Sequence, residues 1–491
     1  MATYATALLL LLSLVTTTTT FCLQEMEVLQ MAQTQVSEAM SWVDNSMRLH
    51  GLESMSISSN ISSVLALRDC AKLYEESEFR LSHMVSKNSS YTNDDALTWV
   101  SAVMTNHRTC LDGLKEKGYF QGHQFFLGRN MSRLLGQALV LYSKNKVKGK
   151  APPQRITTSE ENDGLLESWD LANNNAHFTV AHDGSGTYRT IKEAVDALSS
   201  MGHNRPGRAI IYVKAGVYNE KVEIGNKLHN VMFVGDGIDK TIVTGNRNVP
   251  HGYTTLNSAT FDVSGDGFWA RDMTFENTAG PENHQAVALK VSSDLSVFYR
   301  CSFKAYQDTL YVHSNRQFYR DCHIYGTIDF IFGDATVVLQ NCDIFVRKPM
   351  SQQTNFITAQ GRDDPNKPTG ISIQSCRVRP SSEFSMFKDS IKTFLGRPWR
   401  KYSRTVYLKS DLDGLIHPKG WGEWEGNFAL STLYYGEYMN TGNGASTQNR
   451  VNWPGFHVLS SANEASHFTV SQFLQGEHWI QASGVPFWSG I

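Results

Sequence analysis

Arg271-Asp272-Met273-Thr274-Phe275, Tyr299-Arg300-Cys301-Ser302-Phe303, Arg320-Asp321-Cys322-His323-Ile324, Gln340-Asn341-Cys342-Asp343-Ile344 and Gln374-Ser375-Cys376-Arg377-Val378 are five versions of one pattern. The central residue is Met once and Cys four times, and an apolar residue follows two places on. The intervals between central residues are 28, 21, 20 and 34. Around them lie short β-rich runs such as Ile210-Ile211-Tyr212-Val213 and Val231-Met232-Phe233-Val234, separated by Gly, Asn and Asp. Such texture suits a sandwich array, a propeller or a β-solenoid. A base period near 20 with longer excursions favours a parallel β-helix, whose coils vary by loop insertion; a propeller blade needs about twice that period. The repeated Cys would stack from coil to coil at the strand spacing of about 4.8 Å. That spacing suggests a bridge between adjacent coils, Cys301 to Cys322 first, with a ladder of free buried thiols as the alternative.

The same period organises the polar residues. Gln285, Gln307, Asp308 and Asp329 are spaced 22, 1 and 21. In coils of that length they fall on three successive rungs of one face. Two neighbouring carboxylates repel, so one tends to hold a proton while the other stays ionised. One can then act as acid while its neighbour is base or nucleophile. Gln amides offer N–H donors to a developing oxyanion. Apolar flanks, Thr309-Leu310-Tyr311 and Phe330-Ile331-Phe332, would accentuate the split between the two acids. A nearby Arg would keep one carboxylate ionised, and Leu395-Gly396-Arg397-Pro398-Trp399 is a candidate source. An Asn/Gln/Asp ladder in solenoid turns is the structural alternative. His313 and His323 read as turn or coil-surface residues, and Trp421, Trp424, Trp453, Trp479 and Trp488 mostly as packing aromatics.

Upstream the texture is helical. Residues 26–50, 63–87, 94–115 and 129–146 read as four helices, with Val64, Leu65, Leu67, Ala71 and Leu73 at helical spacing. Leu97, Val100, Met104 and Leu111 repeat that spacing, and Asp94-Asp95 supplies a cap and first-turn acids. A bridge from Cys70 to Cys110 would staple two neighbouring helices. No cluster of acids, His or nucleophiles occurs in this region. Residues 147–176 contain Pro152-Pro153 and a polar run without periodicity, and read as a linker.

The first residues read as a secretory signal, about 1–22. Leu8 to Val15 is a short apolar core, followed by the small residues Thr16–Thr20 and then Cys22. No Lys or Arg precedes that core, which departs from the usual pattern. The core is well short of the roughly 20 residues that span a bilayer, and no other stretch reaches that length. Export permits disulfides, and the sequons at Asn60, Asn88 and Asn130 fit a glycosylated N-terminal half. Bulk charge adds an exclusion. Net charge over 491 residues is -2. Residues 1–176 carry 15 Lys+Arg and 18 Asp+Glu, and residues 177–491 carry 30 and 29. Neither half is a nucleic-acid-binding polycation. No CxxC or Cys/His spacing suggests zinc. No Gly-x-Ser-x-Gly elbow suggests a serine esterase.

Two resemblances sharpen this reading. Leu65-Ala66-Leu67-Arg68-Asp69-Cys70-Ala71-Lys72-Leu73-Tyr74 and Thr98-Trp99-Val100-Ser101-Ala102 through Thr109-Cys110-Leu111-Asp112-Gly113 resemble the plant pectin methylesterase inhibitor domain. That family has an earlier Cys pair in an N-terminal hairpin, which is absent here, so the bundle reads as shortened. Gly216-Val217-Tyr218-Asn219-Glu220, Gln285-Ala286-Val287-Ala288-Leu289, Tyr306-Gln307-Asp308-Thr309-Leu310-Tyr311, Gly326-Thr327-Ile328-Asp329-Phe330-Ile331-Phe332-Gly333 and Leu395-Gly396-Arg397-Pro398-Trp399 resemble the signature motifs of plant pectin methylesterases. They occur in the family order, and the similarity runs from about Phe178 to the C-terminus.

The resemblance implies a right-handed parallel β-helix that removes methyl esters from galacturonate. By position it makes Asp329 the nucleophile and Asp308 the acid that protonates methanol and later serves as base. Gln285 and Gln307 become the oxyanion hole, and Arg397 the residue that holds the nucleophile. Trp399 becomes a substrate-contacting aromatic beside Gln285 and Arg397, with Tyr218 as a further sugar contact. It implies no cofactor and no metal. The expected layout is a signal at 1–22, an inhibitor-like bundle at 26–147, a linker at 148–176 and a pectinesterase domain at 177–491. The expected setting is the plant cell wall, with a secreted monomer acting on methyl-esterified pectin and meeting a proteinaceous esterase inhibitor. Related chains carry a dibasic pair before a dileucine at the linker. Here Asp163-Gly164-Leu165-Leu166 keeps only the dileucine, which predicts inefficient processing. A catalytically weak pectin-binding or esterase-inhibiting protein and another pectin-active β-helix enzyme, a lyase or polygalacturonase, are the competing functions.

Overall fold

In all five repeats the residue before the Met or Cys takes a left-handed conformation. The φ angles are 55° at Asp272, 49° at Arg300, 54° at Asp321, 56° at Asn341 and 53° at Ser375. One such residue bends the chain sharply between two strands, and Asp and Asn accept it at modest cost. The computed structural model describes residues 2–53, 60–119, 122–146, 165–170 and 175–491, with side chains described over 24–49, 63–119, 129–144, 165–170 and 175–491. The described residues divide between two compact units, Met1–Pro152 and Pro153–Ile491.

In the second unit each bend joins a strand of one sheet to a strand of the next, for example Ser296–Tyr299 to Ser302–Lys304. Among the described residues three sheets of eleven, eight and seven strands form, and every strand pairing is parallel. Successive coils therefore stack as rungs of a parallel β-helix. Ser302 pairs with His323, His323 with Asp343 and Asp343 with Arg377, so Cys301, Cys322, Cys342 and Cys376 stand in one column. All four are buried thiols, and the expected Cys301–Cys322 bridge is not formed. In a parallel register the Cα–Cβ bonds of stacked residues point the same way about 4.8 Å apart. A disulfide needs Cβ atoms about 3.5–4.5 Å apart on converging vectors. The column continues where Cys stops: Arg377 pairs with Asp411, which puts Ser410 above Cys376. Ser410 Oγ donates to Ile373 O and Leu408 O, as Cys376 Sγ does to Leu339 O and Gln374 O.

The interior is apolar and continuous. Phe233, Phe261, Phe268, Phe275, Phe298 and Tyr319 fill it, with Phe298 and Tyr319 stacked at 4.8 Å. Each fully buried side chain of this size contributes about 1.5–3 kcal/mol. Helix Ile191–Ser200 packs its apolar face, Ile191, Ala194, Val195 and Leu198, on the first coil. The Glu220 carboxylate accepts from the first backbone N–H groups of that helix, at Ile191 and Lys192. A C-terminal strap crosses the eleven-stranded sheet, where Gln340 exchanges hydrogen bonds with the Trp488 backbone and Gln374 donates to Gly490 O.

The stretch expected to be a linker is partly docked. Leu165–Ser168 forms a short helix whose Leu166, with Trp169, is buried against Tyr212, Met232 and Trp269. Arg271 Nη1 donates to the carbonyls of Leu166 and Glu167 at 2.8 and 2.6 Å, capping the helix end. The dileucine thus belongs to the β-helix unit, while Asp163 and Gly164 lie outside the described residues.

The first unit contains helices α1 (Ala2–Glu53), α2 (Asn60–Val85), α3 (Asn93–Glu116) and α4 (Gly122–Lys146). Thr92 and Asp95 make a reciprocal capping box at the start of α3. Cys70 and Cys110 are bridged, joining α2 to α3. A polar pair lies inside, with Tyr74 Oη 3.0 Å from His107 Nδ1. The side chains of the expected signal and of the Asn60 sequon lie outside the described residues; Asn88 is exposed and Asn130 half-buried. Among the described residues no helix is long and apolar enough to cross a membrane.

Candidate active site

Leu310 pairs with Ile331 across neighbouring coils. Asp308 and Asp329 each stand two residues before that pair, so they occupy adjacent rungs. Asp308 N donates to Ile328 O at 3.0 Å, which locks the two segments together. Gln285 and Gln307 pair directly through a parallel bridge, and Ala286 N donates to Gln307 O at 3.2 Å. The three-rung ladder expected from the spacing is therefore present.

Both acids sit at left-handed positions, with φ of 65° at Asp308 and 52° at Asp329. Each bend leads into a strand, Leu310–Val312 after Asp308 and Ile331–Gly333 after Asp329. Alternation along those strands then separates two kinds of apolar residue. Leu310 and Ile331 enter the core, whereas Tyr311 and Phe332 lie on the opposite face and stack at 4.2 Å. Phe332 meets Trp399 edge-on at 6.1 Å. An aromatic wall thus stands beside the acids. Gly326, three residues before Asp329, allows the close turn: an added Cβ would lie 2.2 Å from Phe330 Cβ.

Asp308 is 7% exposed and Asp329 is 5% exposed. Arg397 binds Asp329 through both carboxylate oxygens, Nε to Oδ1 at 2.8 Å and Nη2 to Oδ2 at 2.6 Å. Burial pushes the Asp329 carboxyl above the usual range, and the Arg397 bonds oppose that push. Burial works against the charge on Arg397, but the Asp329 bonds prevail and hold its proton more tightly than usual, with the charge of Asp308 also contributing. The pair is a charge-assisted fork that fixes the carboxylate plane. Gln285 and Gln307 are half-buried on the two preceding rungs. The grouping can present a fixed carboxylate, a second acid and amide donors to one carbonyl group. Among the described residues no group of three or more His, Cys, Asp or Glu is placed to hold a metal ion.

Tyr218 does not belong to this site. It is fully buried in the first coils, donates to Lys214 O at 2.9 Å and stacks on His182. With Glu220 capping the helix, its motif supports the end of the β-helix and offers no sugar contact. His313 is also buried, not at the surface, with Nδ1 2.9 Å from Ser292 Oγ. His323 is partly exposed near Asp343. Trp421 packs as expected, stacked on Tyr435 at 4.1 Å. Trp424 differs: its ring lies against Arg397, as does that of Phe356. Neither residue falls inside the five motifs. Their signal in the sequence is only an aromatic three residues after Trp421 and one in the strand Asn355–Gln360.

Residues 177–477 match the family model described as pectinesterase. The chain belongs to the pectinesterase family. Residues 15–141 match the model of the plant invertase/pectin methylesterase inhibitor family, so this pectinesterase also carries an inhibitor-type region. It is 54% identical to the probable pectinesterase/pectinesterase inhibitor 36 of Arabidopsis thaliana, over 95% of this chain and 94% of that protein. It is 52% identical to pectinesterase 2 of Citrus sinensis, over 87% of this chain and 82% of that protein. Among solved structures, a pectin methylesterase from carrot aligns with a TM-score of 0.63 and 54% identity, covering 65% of this chain and 98% of that one. The three parallel sheets are those of a right-handed parallel β-helix.

Proposed function

We propose that this pectinesterase hydrolyses the methyl esters of homogalacturonan, with Asp329 as nucleophile and Asp308 as acid and base. The observation that carries the role assignment is the bidentate Arg397–Asp329 pair. It aims one buried carboxylate and opposes the protonation that burial favours, while leaving Asp308 as the second acid. An oxygen of Asp329 attacks the ester carbonyl carbon. The electron pair of the carbonyl moves onto its oxygen, where the Gln285 and Gln307 amides donate hydrogen bonds. Collapse of that intermediate breaks the bond to the methoxy oxygen. Protonated Asp308 supplies the proton, and methanol leaves. The resulting acyl-Asp329 anhydride is opened by water, whose proton goes to the Asp308 carboxylate. Galacturonate leaves, and both acids return to their starting states. Trp399, with Tyr311 and Phe332, supplies the apolar wall for the sugar ring.

Methanol release from highly methylated pectin tests this reading, for wild type and Asp329→Ala. Wild-type release with a loss of at least about a thousandfold in the variant supports it. Folded wild type that releases no methanol rejects it, and unsaturated or new reducing ends would assign a lyase or polygalacturonase instead. The setting we propose is the plant cell wall after export, supported by the apolar core Leu8–Val15 and by the plant relatives. The inhibitor-type region is proposed to meet an esterase, supported by the family match over 15–141. Titrating this chain against a second pectinesterase and following methanol would detect that partner.

A further inference from the structure

Arg397 is held by more than its carboxylate partner. Its guanidinium carbon lies 4.4 Å from the ring centroid of Phe356 and 4.4 Å from that of Trp424. Two hydrogen bonds to Asp329 tie one edge of the guanidinium, and aromatic faces that attract the cation restrain its plane. We propose that Phe356 and Trp424 clamp Arg397 and so position the Asp329 carboxylate; the role rests on the esterase reading above.

Each ring is placed by contacts near the nucleophile. Phe356 N donates to Thr327 O at 3.1 Å, two residues before Asp329. The Phe356 ring stacks on Phe394 at 5.4 Å, three residues before Arg397. Gly422 leaves room for it: an added Cβ would lie 2.4 Å from Phe356 Cε1. Trp424 follows two residues later and is 36% exposed, so it covers Arg397 from the solvent side. One short segment thus supplies one ring and the space for the other.

The consequence runs through charge. Asp329 is buried, and a buried carboxylate without a fixed counter-charge takes up a proton more readily. Loosening Arg397 should therefore lower turnover and move the acid limb of activity to higher pH. A packing role alone would lower stability without moving that limb. A sugar-contact role alone would raise KM.

The test uses the full chain, methyl-esterified pectin and methanol release across pH, with a thermal melt for each variant. Trp424→Leu is expected to lower kcat about tenfold and raise the acid limb by about one pH unit, with KM within about twofold. Trp424→Phe should restore most of both. Gly422→Ala removes no aromatic but displaces Phe356, and should shift the limb in the same direction; it also carries the test if Trp424→Leu fails to fold. Wild-type release with an unmoved limb in the folded variants, or a change confined to KM, overturns the clamp alone. Absence of methanol from folded wild type overturns the esterase reading and the clamp with it.

Discussion

The helical unit and the β-helix bury apolar side chains over opposite contact ranges. In the bundle, residues three and four apart share a face, and a covalent staple from Cys70 to Cys110 joins neighbouring helices. In the β-helix, residues about twenty apart share a column, and four thiols there remain unbridged. The difference teaches where chemistry can gather. A helix face brings together side chains from one short stretch, whereas stacked rungs bring Gln285, Gln307, Asp308 and Asp329 together from three coils. The bundle's interior polar groups, such as Tyr74 and His107, are instead closed on each other.

Breaking the staple is the largest expected effect on stability. Cys70→Ser with Cys110→Ser should cost the bundle about 3–4 kcal/mol, from the loop that the bridge closes. The melt of the β-helix and methanol turnover should not change. Loss of both transitions together would show that the two regions are not independent. A smaller effect is expected in the thiol column. Cys342→Leu overfills it and should cost the β-helix about 1–3 kcal/mol, whereas Cys376→Ser should be milder because Ser410 already makes the same contacts. Equal melting temperatures for the two variants would contradict the column.

The active site sharpens the comparison through pH. Burial raises the Asp329 carboxyl, so it stays protonated to a higher pH than a free Asp. In the proposed mechanism Asp329 attacks in its ionised form, so kcat/KM should rise with pH along a limb above the ordinary Asp value of about 3.9. A limb at or below that value would mean that Arg397 outweighs burial. The smallest expected effect is ionic. With 30 Lys+Arg against 29 Asp+Glu over residues 177–491, bulk charge gives pectin little hold. Pectin affinity should change little with salt, and a steep fall would place the binding in charged contacts outside the cleft.

Cleavage at the linker tests a further boundary between the two regions. Limited proteolysis should leave Leu166 and Trp169 with the β-helix, because both are buried there and Arg271 caps the segment. A stable fragment starting after Trp169 would contradict that docking.

Much of this was legible in residue order. The period near 20 reported coil length, and 3.6-residue spacing reported the helices, because both are repeats along the chain. The adjacency of Asp308 and Asp329 followed from the same period, since equal offsets in successive coils become neighbours, whereas their roles came from the motif resemblance. Other features depend on directions and surroundings that spacing does not carry. Parallel stacking holds the Cys side chains side by side instead of turning them toward one another. Tyr218 lies in a signature motif, yet its side chain faces the core while its neighbours Val217 and Asn219 face outward. Phe356 and Trp424 reach Arg397 from segments 41 and 27 residues from it, through no common period. Local periodicity and motif order determined the two folds and the acids; only the tertiary structure decided which side chains point inward, which thiols stay apart and which rings close on the arginine.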